Sequence, residues 1–121
     1  MAKILLVEDD KFLRDLLTKR LSKEGFEIET AVDGEEGLKK VQETKPDLVL
    51  LDLILPGING FDVLKKIREN PALSDVKIIV LSNLGQKEDV KRALDLGAQD
   101  YLVKAHFTLD EIIEKVKKNL S

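Results

Sequence analysis

The stretch Leu48-Val49-Leu50-Leu51-Asp52, with Leu55-Pro56-Gly57-Ile58-Asn59-Gly60 just beyond it, decides how this chain is read. Four consecutive apolar residues bounded by a turn-rich segment predict a central strand covered on both faces. Asp is depleted in strands and costly to bury unpaired. At the exit of such a strand, Asp52 points to the crevice above the carboxyl edge of a sheet, where open α/β folds bind ligands. A helix cap or turn role is the plain alternative for an isolated strand-end Asp.

Asp52 is not isolated. The chain opens Lys3-Ile4-Leu5-Leu6-Val7 and runs into Glu8-Asp9-Asp10. Adjacent carboxylates are unfavourable unless water, a cation or a helix N-terminus takes up the charge. Phe12, Leu13, Leu16, Leu17 and Leu21 predict a helix with these residues on one face, and Asp10 is its expected N-cap. That accounts for Asp10 but not for Glu8 and Asp9. If the first and third strands are neighbours, Glu8, Asp9 and Asp52 converge. At roughly 5 Å and an effective dielectric of about 20, each like-charge pair costs about 3 kcal/mol. Such a pocket holds a proton or recruits a divalent cation. An all-oxygen carboxylate set suits magnesium.

The rest of the chain alternates strand and helix. Strands are expected over Lys3 to Val7, Glu27 to Ala31, Leu48 to Leu51, Lys77 to Leu81 and Tyr101 to Val103. Helices are expected over Lys11 to Lys23, Gly34 to Thr44, Gly60 to Glu69, Gln86 to Leu96 and Leu109 to Asn119. The second strand alternates polar and apolar residues, as an edge strand should. Gly25 and Gly97 stand where helices should stop, and Pro46 and Pro71 follow two other helix ends. The expected fold is α/β: a flavodoxin-like, doubly wound, five-stranded parallel sheet of order 2-1-3-4-5 with five helices, in three layers. Its switch point falls between strands 1 and 3, beside Glu8, Asp9 and Asp52.

With 121 residues, the chain is expected to form one domain spanning 1–121. It is 43% hydrophobic and 36% charged, which excludes a disordered chain. A net charge of −3, with Lys and Arg spread throughout, argues against direct nucleic-acid or anionic-membrane binding. There is no cysteine, hence no thiolate chemistry and no disulfide. No apolar run nears the roughly 20 residues needed to span a bilayer, and no signal peptide is read at the start. A cytoplasmic location is expected.

Two more strand ends carry polar groups: Ser82 after Ile78-Ile79-Val80-Leu81, and Lys104 after Tyr101-Leu102-Val103. A buried-strand lysine needs a partner, and Asp52 is the obvious one. A carboxylate nucleophile, a cation site, a hydroxyl and an ammonium on one edge describe phosphoryl transfer to Asp52.

Four motifs carry a family resemblance: Val7-Glu8-Asp9-Asp10, Leu51-Asp52-Leu53-Ile54-Leu55-Pro56-Gly57, Leu81-Ser82-Asn83, and Gly97-Ala98-Gln99-Asp100-Tyr101-Leu102-Val103-Lys104. In that order, at strand ends, they resemble a response-regulator receiver domain of two-component signalling, of the stand-alone chemotaxis type, from end to end. The resemblance implies a phosphorylation-activated switch rather than an enzyme acting on other molecules. Asp52 would accept a phosphoryl group from the phosphohistidine of a sensor histidine kinase. Magnesium would be held by Asp9 and Asp52, by Glu8 through water, and by the carbonyl of Ile54. Ser82 and Lys104 would engage the phosphoryl group, with Tyr101 the switch aromatic. Self-dephosphorylation would be magnesium-dependent. A surface of helix 4, strand 5 and helix 5 would signal to a downstream protein, with the domain a monomer or a phosphorylation-dependent dimer.

The chain departs from that pattern after the Ser, where Asn83 replaces a small residue, and after Lys104, where Ala105 replaces proline. A cis bond there would cost about 2.5–4 kcal/mol without proline. By the same resemblance Ile54 and Leu84 flank the hydrolytic water, and neither offers it a hydrogen bond. With Asn83 they predict slow hydrolysis. His106, the one histidine, reads as a solvated loop residue. The alternatives are a phosphatase of the haloacid dehalogenase type, which normally needs an Asp where Ile54 stands, and a flavodoxin-like binding module, whose phosphate loop Glu8-Asp9-Asp10 would repel its ligand.

Overall fold

The computed structural model describes all residues, 1–121. Five parallel strands are β1 (Lys3–Val7), β2 (Glu27–Ala31), β3 (Leu48–Leu51), β4 (Lys77–Ser82) and β5 (Asp100–Val103), in the order β2-β1-β3-β4-β5. Five helices alternate with them: α1 (Lys11–Lys23), α2 (Gly34–Thr44), α3 (Gly60–Glu69), α4 (Lys87–Asp95) and α5 (Leu109–Leu120). This is the expected three-layer sheet and strand order.

Alternation along the central strands divides the core in two. Leu5, Val7, Val49, Leu51, Ile78 and Val80 face α2, α3 and α4, where Val41, Leu64 and Ala93 meet them. Ile4, Leu6, Leu48, Leu50, Ile79 and Leu81 face α1 and α5, against Leu17, Leu21, Ile113 and Val116. β3 is buried along its whole length, whereas β2 alternates exposed and part-buried positions as an edge strand does.

Side-chain caps start four of the helices. The carboxylates of Asp10 and Asp33 accept from the N–H groups of Leu13 and Glu36, and the Asn59 side chain accepts from Asp62. Thr108 and Glu111 form a reciprocal capping box on α5. The helix α4 follows Gln86, whose side chain makes no capping bond, and buries only Ala93. Glycines in the left-handed region follow two helices, Gly25 at φ +92° and Gly97 at φ +110°.

Some details differ from the sequence expectation. β4 takes in Ser82, one residue beyond the expected end at Leu81, and β5 starts one residue earlier, at Asp100. Gln86 and Leu96 cap α4 instead of belonging to it, and α5 extends to Leu120. Two short 3-10 turns, Pro71–Leu73 and Lys104–His106, were not expected. Phe12 is 77% exposed, while Leu17 and Leu21 are buried. At 3.6 residues per turn, position 12 lies about 140° around the helix from position 17, so Phe12 leaves the buried face. No helix is long and apolar enough to cross a membrane.

Candidate functional site

The sheet ladder continues one residue past β1 and β3. The Glu8 N–H donates to the Ala31 carbonyl (3.0 Å), and the Asp52 N–H donates to the Val7 carbonyl (3.1 Å). Val7 and Leu51 are paired in register, so the next residues, Glu8 and Asp52, come level at the carboxyl edge. Both are buried, at 1% and 5% exposure, while Asp9 between them is exposed. One carboxylate oxygen from each of the three lies within 4.8 Å of the others. The convergence expected from the strand ends is present.

Lys104 enters from the end of β5. Its Nζ lies 2.8 Å from Glu8 Oε1 and 2.8 Å from Asp52 Oδ2. The pairing with Asp52 was expected; the equal pairing with Glu8 was not. Sequence spacing shows that a lysine reaches the edge but not how it divides itself between acids. Burial is the largest influence on Glu8 and pushes its carboxyl above the usual range, against the pull of Lys104. Burial alone would lower the Lys104 ammonium, but its hydrogen bonds to Asp52 and Glu8 outweigh this and raise it. The ammonium therefore stays charged, and Glu8 is the group that the pocket makes reluctant to ionise.

The second Asp52 oxygen is held from the loop. Asp52 Oδ1 accepts from the Ile54 N–H at 3.0 Å, and the Ile54 side chain is 53% exposed at the rim. Glycine is needed at 60: a Cβ there would stand 2.3 Å from Leu53 Cα and 2.4 Å from the Asp52 carbonyl oxygen. The backbone of α3 thus begins against the backbone of Asp52. The chain turned at Asn59-Gly60 hints at this glycine, but not at its close approach.

Ser82 is fully buried, and its Oγ accepts from the Leu84 N–H at 3.4 Å. The Leu84 carbonyl accepts from the Tyr101 hydroxyl at 2.6 Å. Burial, with smaller contributions from the charges of Asp89 and Asp52, pushes the Tyr101 phenol up to about 12. Leu84 packs part-buried against the core, and Asn83 is exposed. His106 is exposed, as expected, though in a 3-10 turn; all peptide bonds are trans, that of Lys104-Ala105 included. No buried side-chain nitrogen or oxygen lacks a hydrogen-bond partner. Sequence reading missed Arg14, whose Nη1 donates to the carbonyls of Glu8 (2.9 Å) and Asp9 (3.3 Å).

The donor set fits a hard divalent cation. It is made of oxygen only, two of its three carboxylates are buried, and one resident lysine cannot balance three acids. A doubly wound parallel sheet with a lysine-bridged acidic pocket at its switch point defines a flavodoxin-like domain of the receiver class. Comparison with known proteins agrees. The response regulator receiver domain model matches residues 4–117. The chain is 36% identical over 117 residues to the DNA-binding dual master transcriptional regulator RpaA of Synechocystis sp., covering 97% of this chain and 48% of that protein. It is 38% identical over 120 residues to the phosphate regulon transcriptional regulatory protein PhoB of Rhizobium meliloti, covering 99% and 52%. It thus spans about half the length of these relatives.

Among solved structures, a CheY-like response regulator receiver domain protein of Methanospirillum hungatei superposes with a TM-score of 0.92 at 30% identity, over 99% of this chain and 94% of that one. The chemotaxis protein CheY4 of Vibrio cholerae gives 0.90 at 30% identity, over 98% of each. This chain belongs to the response regulator receiver domain family. That membership stands in place of the haloacid dehalogenase and flavodoxin alternatives.

Proposed function

We propose that this chain is a phosphorylation-activated switch whose acceptor is Asp52, charged by the phosphohistidine of a sensor histidine kinase. One observation carries the reading. Asp52 is buried at the sheet edge, bonded through one oxygen to Lys104 and through the other to a loop N–H, inside a three-carboxylate pocket. A carboxylate so placed is desolvated, oriented and beside a fixed cation, which are the requirements of a nucleophile in phosphoryl transfer.

In the reaction, an Asp52 oxygen attacks phosphorus and the P–N bond breaks. The imidazole departs with the bonding pair and is protonated from solvent. Glu8, Asp9, Asp52 and the Ile54 carbonyl are the groups that would hold magnesium, which would supply positive charge against the phosphoryl oxygens when bound. Lys104 already reaches Asp52 and needs only a short shift to pair with an acyl phosphate. The Ser82 hydroxyl accepts from Leu84 and keeps its own hydrogen to donate. Tyr101 is bonded to the same Leu84, so a pull on Ser82 is felt by the ring. The signal would leave through the face of α4, β5 and α5 toward a downstream protein, with the domain a monomer or a phosphorylation-dependent dimer in the cytoplasm. The sparse anchoring of α4 supports that face as the one that moves. Ile54, Asn83 and Leu84 would set slow self-hydrolysis.

The test is intact mass after incubation with magnesium and acetyl phosphate. One phosphoryl adduct is expected in the wild type and none in Asp52→Asn. An adduct of equal yield in that variant, or one mapped to His106, would overturn the assignment.

A further inference from the structure

Glu8 and Asp52 are both held by Lys104, but none of the protein's hydrogen bonds or ion pairs reaches the Asp9 carboxylate. Its orientation is therefore set through its main chain. That main chain receives one hydrogen bond, from Arg14 Nη1 to the Asp9 carbonyl at 3.3 Å; the same nitrogen also holds the Glu8 carbonyl at 2.9 Å. The segment is fixed on its other sides as well. The Glu8 N–H bonds Ala31, the Asp10 N–H bonds Glu8 Oε2 at 3.0 Å, and Asp10 caps α1. Arg14 is one turn into α1 and reaches back over the helix start. It pairs with no carboxylate, so its charge is spent on two carbonyl oxygens.

We propose that Arg14 is a positioning residue of this site: its guanidinium grips the main chain of Glu8 and Asp9, so that the Asp9 carboxylate is presented already oriented to a divalent cation. This rests on the reading of the pocket as a magnesium site. The physical logic gives the proposal a sign of its own. A positive charge beside an acidic pocket opposes cation binding, so its removal by electrostatics alone would tighten binding. Loss of orientation would weaken it, because the cation would then have to order the segment as it binds. Groups that orient metal ligands from behind typically contribute roughly 10–100-fold in affinity.

The experiment is calorimetric titration of the full chain with magnesium chloride at pH 7, in wild type, Arg14→Met and Arg14→Lys. Arg14→Met is expected to bind roughly tenfold more weakly. Arg14→Lys keeps the charge but lacks the planar fork, and should fall between. A second readout separates orientation from general damage. The magnesium concentration giving half-maximal phosphorylation by acetyl phosphate should rise in Arg14→Met, while the rate at saturating magnesium stays at the wild-type value. Unchanged or tighter binding in Arg14→Met overturns the proposal, as does a fall in the saturated rate without a change in half-saturation. Should Arg14→Met fail to fold, Arg14→Lys decides, and a wild-type Kd there overturns it. Wild type that binds no magnesium sinks the reading of the pocket as well; wild-type binding matched by both variants sinks only the role of Arg14.

Discussion

Replacing Lys104 with Met removes the one cation that stands between two buried carboxylates. Its Nζ is 2.8 Å from an oxygen of each. Without it, Glu8 and Asp52 face one another with oxygens within 4.8 Å. Two unit charges at about 4.8 Å and an effective dielectric of about 20 repel by about 3.5 kcal/mol. Removing one partner of a buried ion pair costs about 3–5 kcal/mol by experience elsewhere. The lysine side chain is 17% exposed, so solvent takes part of the charge and the lower end applies, about 3 kcal/mol. For a domain of this size that lowers Tm by about 10 °C.

Asp52→Asn should act in the opposite direction, because it leaves Lys104 and Glu8 paired one to one. Its Tm without magnesium should rise, and most of the stabilisation by magnesium should vanish. Acid supplies a further check. The folded-state pKa of Glu8 is raised, so the stability contributed by its protonation is present below the unfolded value of 4.5 and lost as pH rises through the folded value. Lowering pH from 7 toward 5 should therefore narrow the gap between Lys104→Met and wild type. The assay is thermal unfolding followed by circular dichroism, first without divalent cations and then with magnesium. Equal midpoints for Lys104→Met and wild type, or equal destabilisation by Asp52→Asn, would refute the account of a pocket with surplus negative charge.

Other outcomes follow from the same geometry. Ile54→Asn with Leu84→Glu should speed decay of the phosphoprotein about tenfold, roughly 1.4 kcal/mol of barrier; no change after removing the donor would show that these positions do not orient water. Tyr101 is the single tyrosine in a chain without tryptophan, so its ultraviolet absorbance titrates one group. In a rapid pH jump it should ionise near 12 rather than 10, and earlier in Asp52→Asn; the stability this phenol contributes is present below 10 and lost as pH rises toward about 12. Gly60→Ala should destabilise by about 1–3 kcal/mol or more, since the clash is with main-chain atoms that no rotamer can relieve; a thermal melt matching wild type would show that α3 can back away from Asp52.

Much of this was legible in the residues. The apolar run Leu48 to Leu51 ending in Asp52, and the matching run ending in Glu8, disclose both strands and the edge where they meet, because buried parallel strands leave so little choice of composition. Lys104 was legible for the same reason. The division of its charge between Glu8 and Asp52 was not, since it depends on side-chain reach across three strands. Phe12 misled because five apolar residues in a short helix look like one stripe until the angle of each is counted. Arg14 was hidden altogether: an arginine on a helix gives no sign in sequence that it folds back onto two carbonyls. Ser82 was misplaced by one residue because serine at a strand end also suits a turn.

Leu84 takes hold of the Ser82 hydroxyl with its N–H and of the Tyr101 hydroxyl with its carbonyl. Both links use the peptide backbone, which every residue but proline can supply. The side chain at position 84 can therefore be exchanged without cutting the mechanical line between the two hydroxyls. On the proposed reading, a lineage of such domains would be free to vary the lifetime of its phosphoryl group at this position without cutting the link between Ser82 and Tyr101.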